Sequence, residues 1–107
     1  MQVVVCGLQG AGKSTWIARQ EPQAGTVYFD AALPGARHRA PIIALGRAYG
    51  IPVSSVWIRT PLAFALERNR QRPADRRVPE DSIRSVDRLF EQPTTDEGFV
   101  SVRIVEA

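Results

Sequence analysis

The chain has 107 residues, 44% of them hydrophobic and 23% charged, with a net charge of +3; this suits one modest core and excludes a low-complexity or solenoid chain. A single cysteine, Cys6, excludes an internal disulfide, so a reducing cytoplasm is the expected compartment. No apolar run approaches the roughly 18 residues of a membrane span, and the opening MQVVVC lacks the basic leader of a signal peptide, so no membrane partner is expected.

The basic balance suits a phosphate-rich partner, though an arginine-rich composition can produce the same figure. In chain order, Gln2–Val5 is a continuous apolar run ending at a glycine, the pattern of a strand buried on both faces. A helix of about ten residues is expected after it, running toward Pro22. Thr26–Asp30 reads as a second strand, β-branched and aromatic, with an acid at its end. ALPGARHR reads as loop, and Pro41 as the first residue of a second helix with apolar positions at Ile42, Ile43, Leu45 and Ala48. Val53–Ile58 is the third strand. Thr60 and Pro61 open a third helix with Leu62, Ala65, Leu66 and Asn69 along one stripe. Pro79 opens a fourth, with Ile83, Val86 and Phe90 on one face, and Phe99–Val105 reads as the last strand. The alternation predicts an α/β fold: one domain over residues 1–107, built on a compact, mostly parallel four-stranded sheet with helices on both faces.

The most specific stretch is Gly7-Leu8-Gln9-Gly10-Ala11-Gly12-Lys13-Ser14, which fits G-x-x-x-x-G-K-[ST] between a strand and a helix. Glycines let such a turn wrap tightly and present its amide hydrogens to phosphate oxygens, and the helix N-terminus adds positive potential. Lys13 is the one lysine in a chain with thirteen arginines. A flexible ammonium suits this loop where a planar guanidinium does not, so composition yields lysine only here. Gly7, Gly10, Ala11, Gly12, Lys13, Ser14 and Thr15 are therefore the expected phosphate-binding residues of a P-loop NTPase fold, with Ser14 offering a hydroxyl to Mg²⁺. Asp30 ends the second strand and can support Mg²⁺ through water; an ordinary turn aspartate and a base for an attacking hydroxyl are the other readings. Arg68 and Arg72, four apart, read either as solvated arginines at a helix end or as a lid that neutralises a transferring phosphoryl group. His38 reads as a surface residue and Cys6 as a small buried hydrophobe.

With these stretches in view, the chain resembles the P-loop kinases of the polynucleotide-kinase type. The likeness lies in GLQGAGKST, VYFDAALPGARHRAPIIALGRAYGIPV, TPLAFALERNRQR, VPEDSI and PTTDEGFVSVRIV, together nearly the whole chain. Asp30, Arg39 and Pro41 fall at the family's offsets, and ERNRQR looks like its lid, with Arg68 and Arg72 as the lid arginines. The resemblance implies ATP as substrate, Mg²⁺ as cofactor, Lys13, Asp30, Arg68 and Arg72 in the catalytic roles, and transfer to a hydroxyl acceptor, either a nucleic-acid 5′ end or a small molecule. Two departures stand out. Ala32-Leu33 replaces the family's Thr-Asn. QEPQAG stands where relatives carry some forty residues that supply a strand, the acceptor-side aspartate and an acceptor-gripping arginine. That loss supports an alternative: a catalytically reduced nucleotide-binding module that regulates or completes a partner.

Overall fold

The structure is a computed structural model, and it describes residues 1–8, 11–21, 25–30 and 33–106. Four strands, β1 (Gln2–Cys6), β2 (Val27–Asp30), β3 (Val53–Arg59) and β4 (Val102–Glu106), form one sheet in the order β2-β1-β3-β4. Every pairing is parallel. The helices are α1 (Lys13–Ala18), α2 (Ala36–Ala48), α3 (Leu62–Arg70) and α4 (Glu80–Leu89), with 3₁₀ turns at Ala74–Arg76 and Thr95–Glu97. This is the α/β architecture of a P-loop NTPase fold. No helix among the described residues is long and apolar enough to cross a membrane.

Alternation along the strands divides the core in two. Val3 and Val5 of β1 and Val56 and Ile58 of β3 point to one face, where they meet Ala65 and Leu66 of α3 and Ile83 of α4; Trp16 and Ile17 of α1 pack against the same cluster. Val4 and Cys6 point to the other face and meet Ile43 of α2 and Phe99. Helices therefore cover both faces, and β1, in the middle, is the driest element, with Val4, Val5 and Cys6 fully buried. Each such aliphatic side chain contributes about 1.5–3 kcal/mol by leaving water. Cys6 behaves as the expected small hydrophobe, and burial pushes its thiol pKa up.

Three boundaries differ clearly from the sequence expectation. α1 spans six residues rather than about ten. α2 begins at Ala36, five residues before Pro41, which sits inside it. The start is fixed by local polar contacts: the Gly35 amide donates to Nδ1 of His38 (3.1 Å), and the Ala36 amide donates to Oε1 of Glu91 (3.3 Å). Pro41 removes only the bond to the Arg37 carbonyl, on an exposed turn that water can reach. The inward stripe of α2 is Arg39, Ile43 and Gly46, while Leu45 lies exposed. The last strand begins at Val102 rather than Phe99, because Phe99 turns into the α2 core and Val100 is left outside the ladder, exposed.

Two buried polar residues hold connections in place. Asn69 of α3 donates to the Val78 carbonyl (2.7 Å) and accepts from the Val78 amide (3.0 Å), which latches the basic loop back onto its helix. Arg39 is wholly buried and forms a two-point ion pair with Glu97, Nε to Oε1 at 2.8 Å and Nη2 to Oε2 at 3.1 Å. Its Nη1 donates to the Leu33 carbonyl (3.0 Å). Arg39 thus ties the chain after β2 to the turn before β4.

Candidate functional site

The turn from β1 into α1 closes on itself. Gly7 has φ 151° and a Cβ there would lie 2.7 Å from the Ile58 carbonyl oxygen, so only glycine fits against β3. The Ala11 amide donates to the Leu8 carbonyl (3.0 Å). Gly12, with φ 99°, occupies the N-cap of α1 and brings no side chain to cap it. The first-turn amides of Lys13, Ser14 and Thr15 therefore remain open to an incoming acceptor. With α1 only six residues long, these amides supply the attraction for an anion rather than a long helix dipole. Gly10, the remaining loop glycine of the motif, lies outside the described residues.

Lys13 turns back into the cup. Its side chain is 8% exposed, and Nζ donates to the carbonyls of Gly7 (3.1 Å) and Leu8 (2.9 Å). Burial lowers its pKa from the ordinary lysine value; the Asp30 charge works against that fall and the Arg72 charge adds to it. A desolvated ammonium held over open amides has the chemistry that suits a polyanion.

Parallel pairing of β2 with β1 sets Val5 beside Asp30, so the carboxylate stands at the carboxyl end of the sheet next to the cup. There Ser14 Oγ donates to Oδ2 of Asp30 at 2.7 Å. Two hard oxygen donors on an exposed rim suit Mg²⁺, which retains waters and takes its other ligands from phosphate. Three or more metal-ligating side chains do not converge anywhere among the described residues, so a dedicated protein cage is not what these residues form.

Arg68 reaches over the cup from α3. A Cβ on Gly12 would sit 3.2 Å from its Nη1, and Nη1 lies 3.5 Å from the Ala11 carbonyl. Arg72 sits past the end of α3 at Arg70, so it shares the neighbourhood of Lys13 but not a helix face with Arg68. Thr60, read from the sequence as opening the third helix, makes no capping bond to α3; its buried hydroxyl approaches the Ala11 carbonyl instead, at 3.5 Å.

Two hollows flank the loop. One, about 350 Å³, borders its second half (Ala11, Gly12, Thr15) and is walled by Trp16, Phe64 and Arg68. The other, about 270 Å³, borders its first half at Leu8. Neither was legible in the sequence, because their walls come from residues distant in the chain.

No curated protein matches the sequence. A protein-family model described as an AAA domain matches residues 23–93, about two thirds of the chain, starting after the phosphate loop. The parallel sheet, the loop between its central strand and α1, and this match together place the chain in the AAA-domain family, a P-loop NTPase-like group.

Proposed function

We propose that residues 1–107 form one ATP-binding domain of kinase type that transfers the γ-phosphoryl group of ATP to a hydroxyl acceptor. The observation that carries this reading is the buried Lys13 folded into a cup of open amides, with the Ser14–Asp30 pair at its rim. The triphosphate would lie along Gly7, Gly10, Ala11 and Gly12 and the amides of Lys13, Ser14 and Thr15. Lys13 would meet the β- and γ-phosphates. Ser14 and Asp30 would hold Mg²⁺, which would supply charge neutralisation for the phosphates. Arg68 and Arg72 would carry the remaining charge as the γ-phosphate departs. The larger hollow beside Thr15, Trp16 and Phe64 offers the base a place against aromatic walls.

Phosphoryl transfer rests mainly on positioning and electrostatics, and the residues named above would contribute to both. The binding module without turnover remains the second reading. It is favoured by the connection from α1 to β2, which runs only from Arg19 to Thr26 and contains nothing matching the acceptor-side aspartate of polynucleotide kinases. Metal dependence tests the assignment of the rim. Asp30→Asn is expected to weaken the Mg²⁺ requirement for nucleotide binding and to lower turnover about 100-fold or more, while ATP without metal binds as in the parent. Titrations of ATP at stepped Mg²⁺ concentrations check it; an unchanged Mg²⁺ dependence in Asp30→Asn would remove Asp30 from the site.

A further inference from the structure

The smaller hollow holds chemistry that nucleotide binding does not use. Its position follows from the path of the chain. α4 packs on the α1/α3 face through Ile83 and Val86, yet Phe90, directly after it, packs into the cluster on the opposite face and stacks on Trp57 (centroids 5.1 Å apart, planes at 28°). The next residue is tethered near the end of β2: the Glu91 amide donates to the Pro34 carbonyl at 2.6 Å. The chain therefore crosses the carboxyl edge of the sheet, and the crossing borders a hollow of about 270 Å³ against Leu8 and Thr60, with Trp57, Asp87, Phe90 and Gln92 among its other walls.

Leu8 belongs to the half of the loop whose carbonyls hold the Lys13 ammonium. The larger hollow lies against the other half. A nucleotide laid along the loop with its base in that larger hollow points its terminal phosphate toward the smaller one. The walls there are two aromatic rings, the aliphatic side chains of Leu8 and Ile58, a hydroxyl, an amide and a carboxylate. Among the described residues, Asp87 has no cationic partner within 4 Å. An uncommitted carboxylate beside aromatic rings suits a ring-bearing, hydroxylated molecule, and a volume of about 270 Å³ limits what enters to a small one.

We propose that this hollow is the acceptor site, that it takes a nucleoside-sized hydroxylated molecule, and that Asp87 receives the acceptor's proton. This deepens the nucleotide reading above and rests on it. In the step, the acceptor hydroxyl oxygen forms a bond to Pγ as the bond from Pγ to the β–γ bridging oxygen breaks. ADP leaves with that electron pair, and the hydroxyl proton passes to the Asp87 carboxylate, which is exposed and can release it to water. Asp87 on α4 thus takes a role that the short α1–β2 connection leaves unfilled.

The test is transfer from γ-labelled Mg-ATP to uridine, cytidine, adenosine and guanosine, with a 5′-hydroxyl oligonucleotide in parallel, and ATP affinity measured separately by titration. The expected result is a labelled nucleoside monophosphate, with Asp87→Asn lowering kcat about 100-fold or more while ATP affinity stays unchanged. Gln92→Ala is expected to raise the nucleoside KM with little change in kcat. Labelling of the oligonucleotide alone would overturn the inference in favour of a polymer acceptor. ATP binding with no nucleoside labelled, or full activity in Asp87→Asn, would overturn it too. Failure of the wild type to bind ATP would overturn the nucleotide reading itself, and the titration shows that outcome separately.

Discussion

Glu97→Ala is expected to lower stability by about 3–5 kcal/mol, the cost of leaving one member of a buried ion pair without its partner. For a chain of this size that corresponds to a fall in Tm of more than about 12 °C. The reason is geometric. Arg39 is entirely buried and cannot turn out to water, and Glu97, 12% exposed, meets it at two points. Glu97 also accepts the Thr94 amide at 2.8 Å, so its loss frees a turn as well as a charge. Arg39→Met combined with Glu97→Leu removes both charges and is expected to recover most of the loss, because an apolar pair of similar volume has no desolvation cost to offset. Thermal melts of the three proteins check this. A shift below about 4 °C for Glu97→Ala would mean that the pair is not the clasp described here.

Lys13→Ala is expected to weaken Mg-ATP binding about 10- to 150-fold, the equivalent of one or two charge-assisted hydrogen bonds. The same substitution should leave Tm nearly unchanged or raise it slightly. In the free protein the ammonium is desolvated and, among the described residues, met by two loop carbonyls, so its burial opposes folding. The sign of its pH effect follows. Because its folded pKa is depressed, the unfolded chain holds a proton that the fold has released as pH approaches the ordinary lysine value, and stability contributed at this residue rises across that window. Lys13→Ala is expected to flatten that rise, which melts at stepped alkaline pH would show.

The legible parts of this protein were those in which spacing alone encodes geometry. The loop from Gly7 to Ser14 has fixed glycine and lysine positions, and QVVV and VSSVWI are apolar runs long enough for a strand and too short for a helix. The stripe Leu62, Ala65, Leu66, Asn69 faces the core as its period dictates. The start of α2 was misplaced because Pro41 is a strong signal for a first helical turn, whereas the contacts that set the start involve His38 and, from far along the chain, Glu91. The last strand was drawn too early because Val100, Val102 and Ile104 alternate; alternation cannot show that Phe99 has a better place in the α2 core.

Long-range polar pairs were out of reach for a different reason. Arg39 and Glu97 are 58 residues apart, and a charged residue gives no sign in sequence of which partner it meets. The same holds for the rim of the loop. In the sequence Asp30 reads as a metal supporter, a turn residue or a base; that parallel pairing with β1 sets it beside Ser14 is not written there. Asp87 sits on a strongly polar helix face and carries no motif; it gains interest only because the chain after α4 crosses the sheet and walls a hollow with it.

The measurement that bears most directly on the nucleotide assignment is an amide NMR titration of the ¹⁵N-labelled protein with Mg-ATP. Saturable shifts should be largest at Gly12, Lys13, Ser14 and Thr15, extend to Asp30 and Arg68, and be absent from the far end of the sheet around Gln2 and Val53. Shifts confined to other surfaces, or none at millimolar Mg-ATP, would contradict the account.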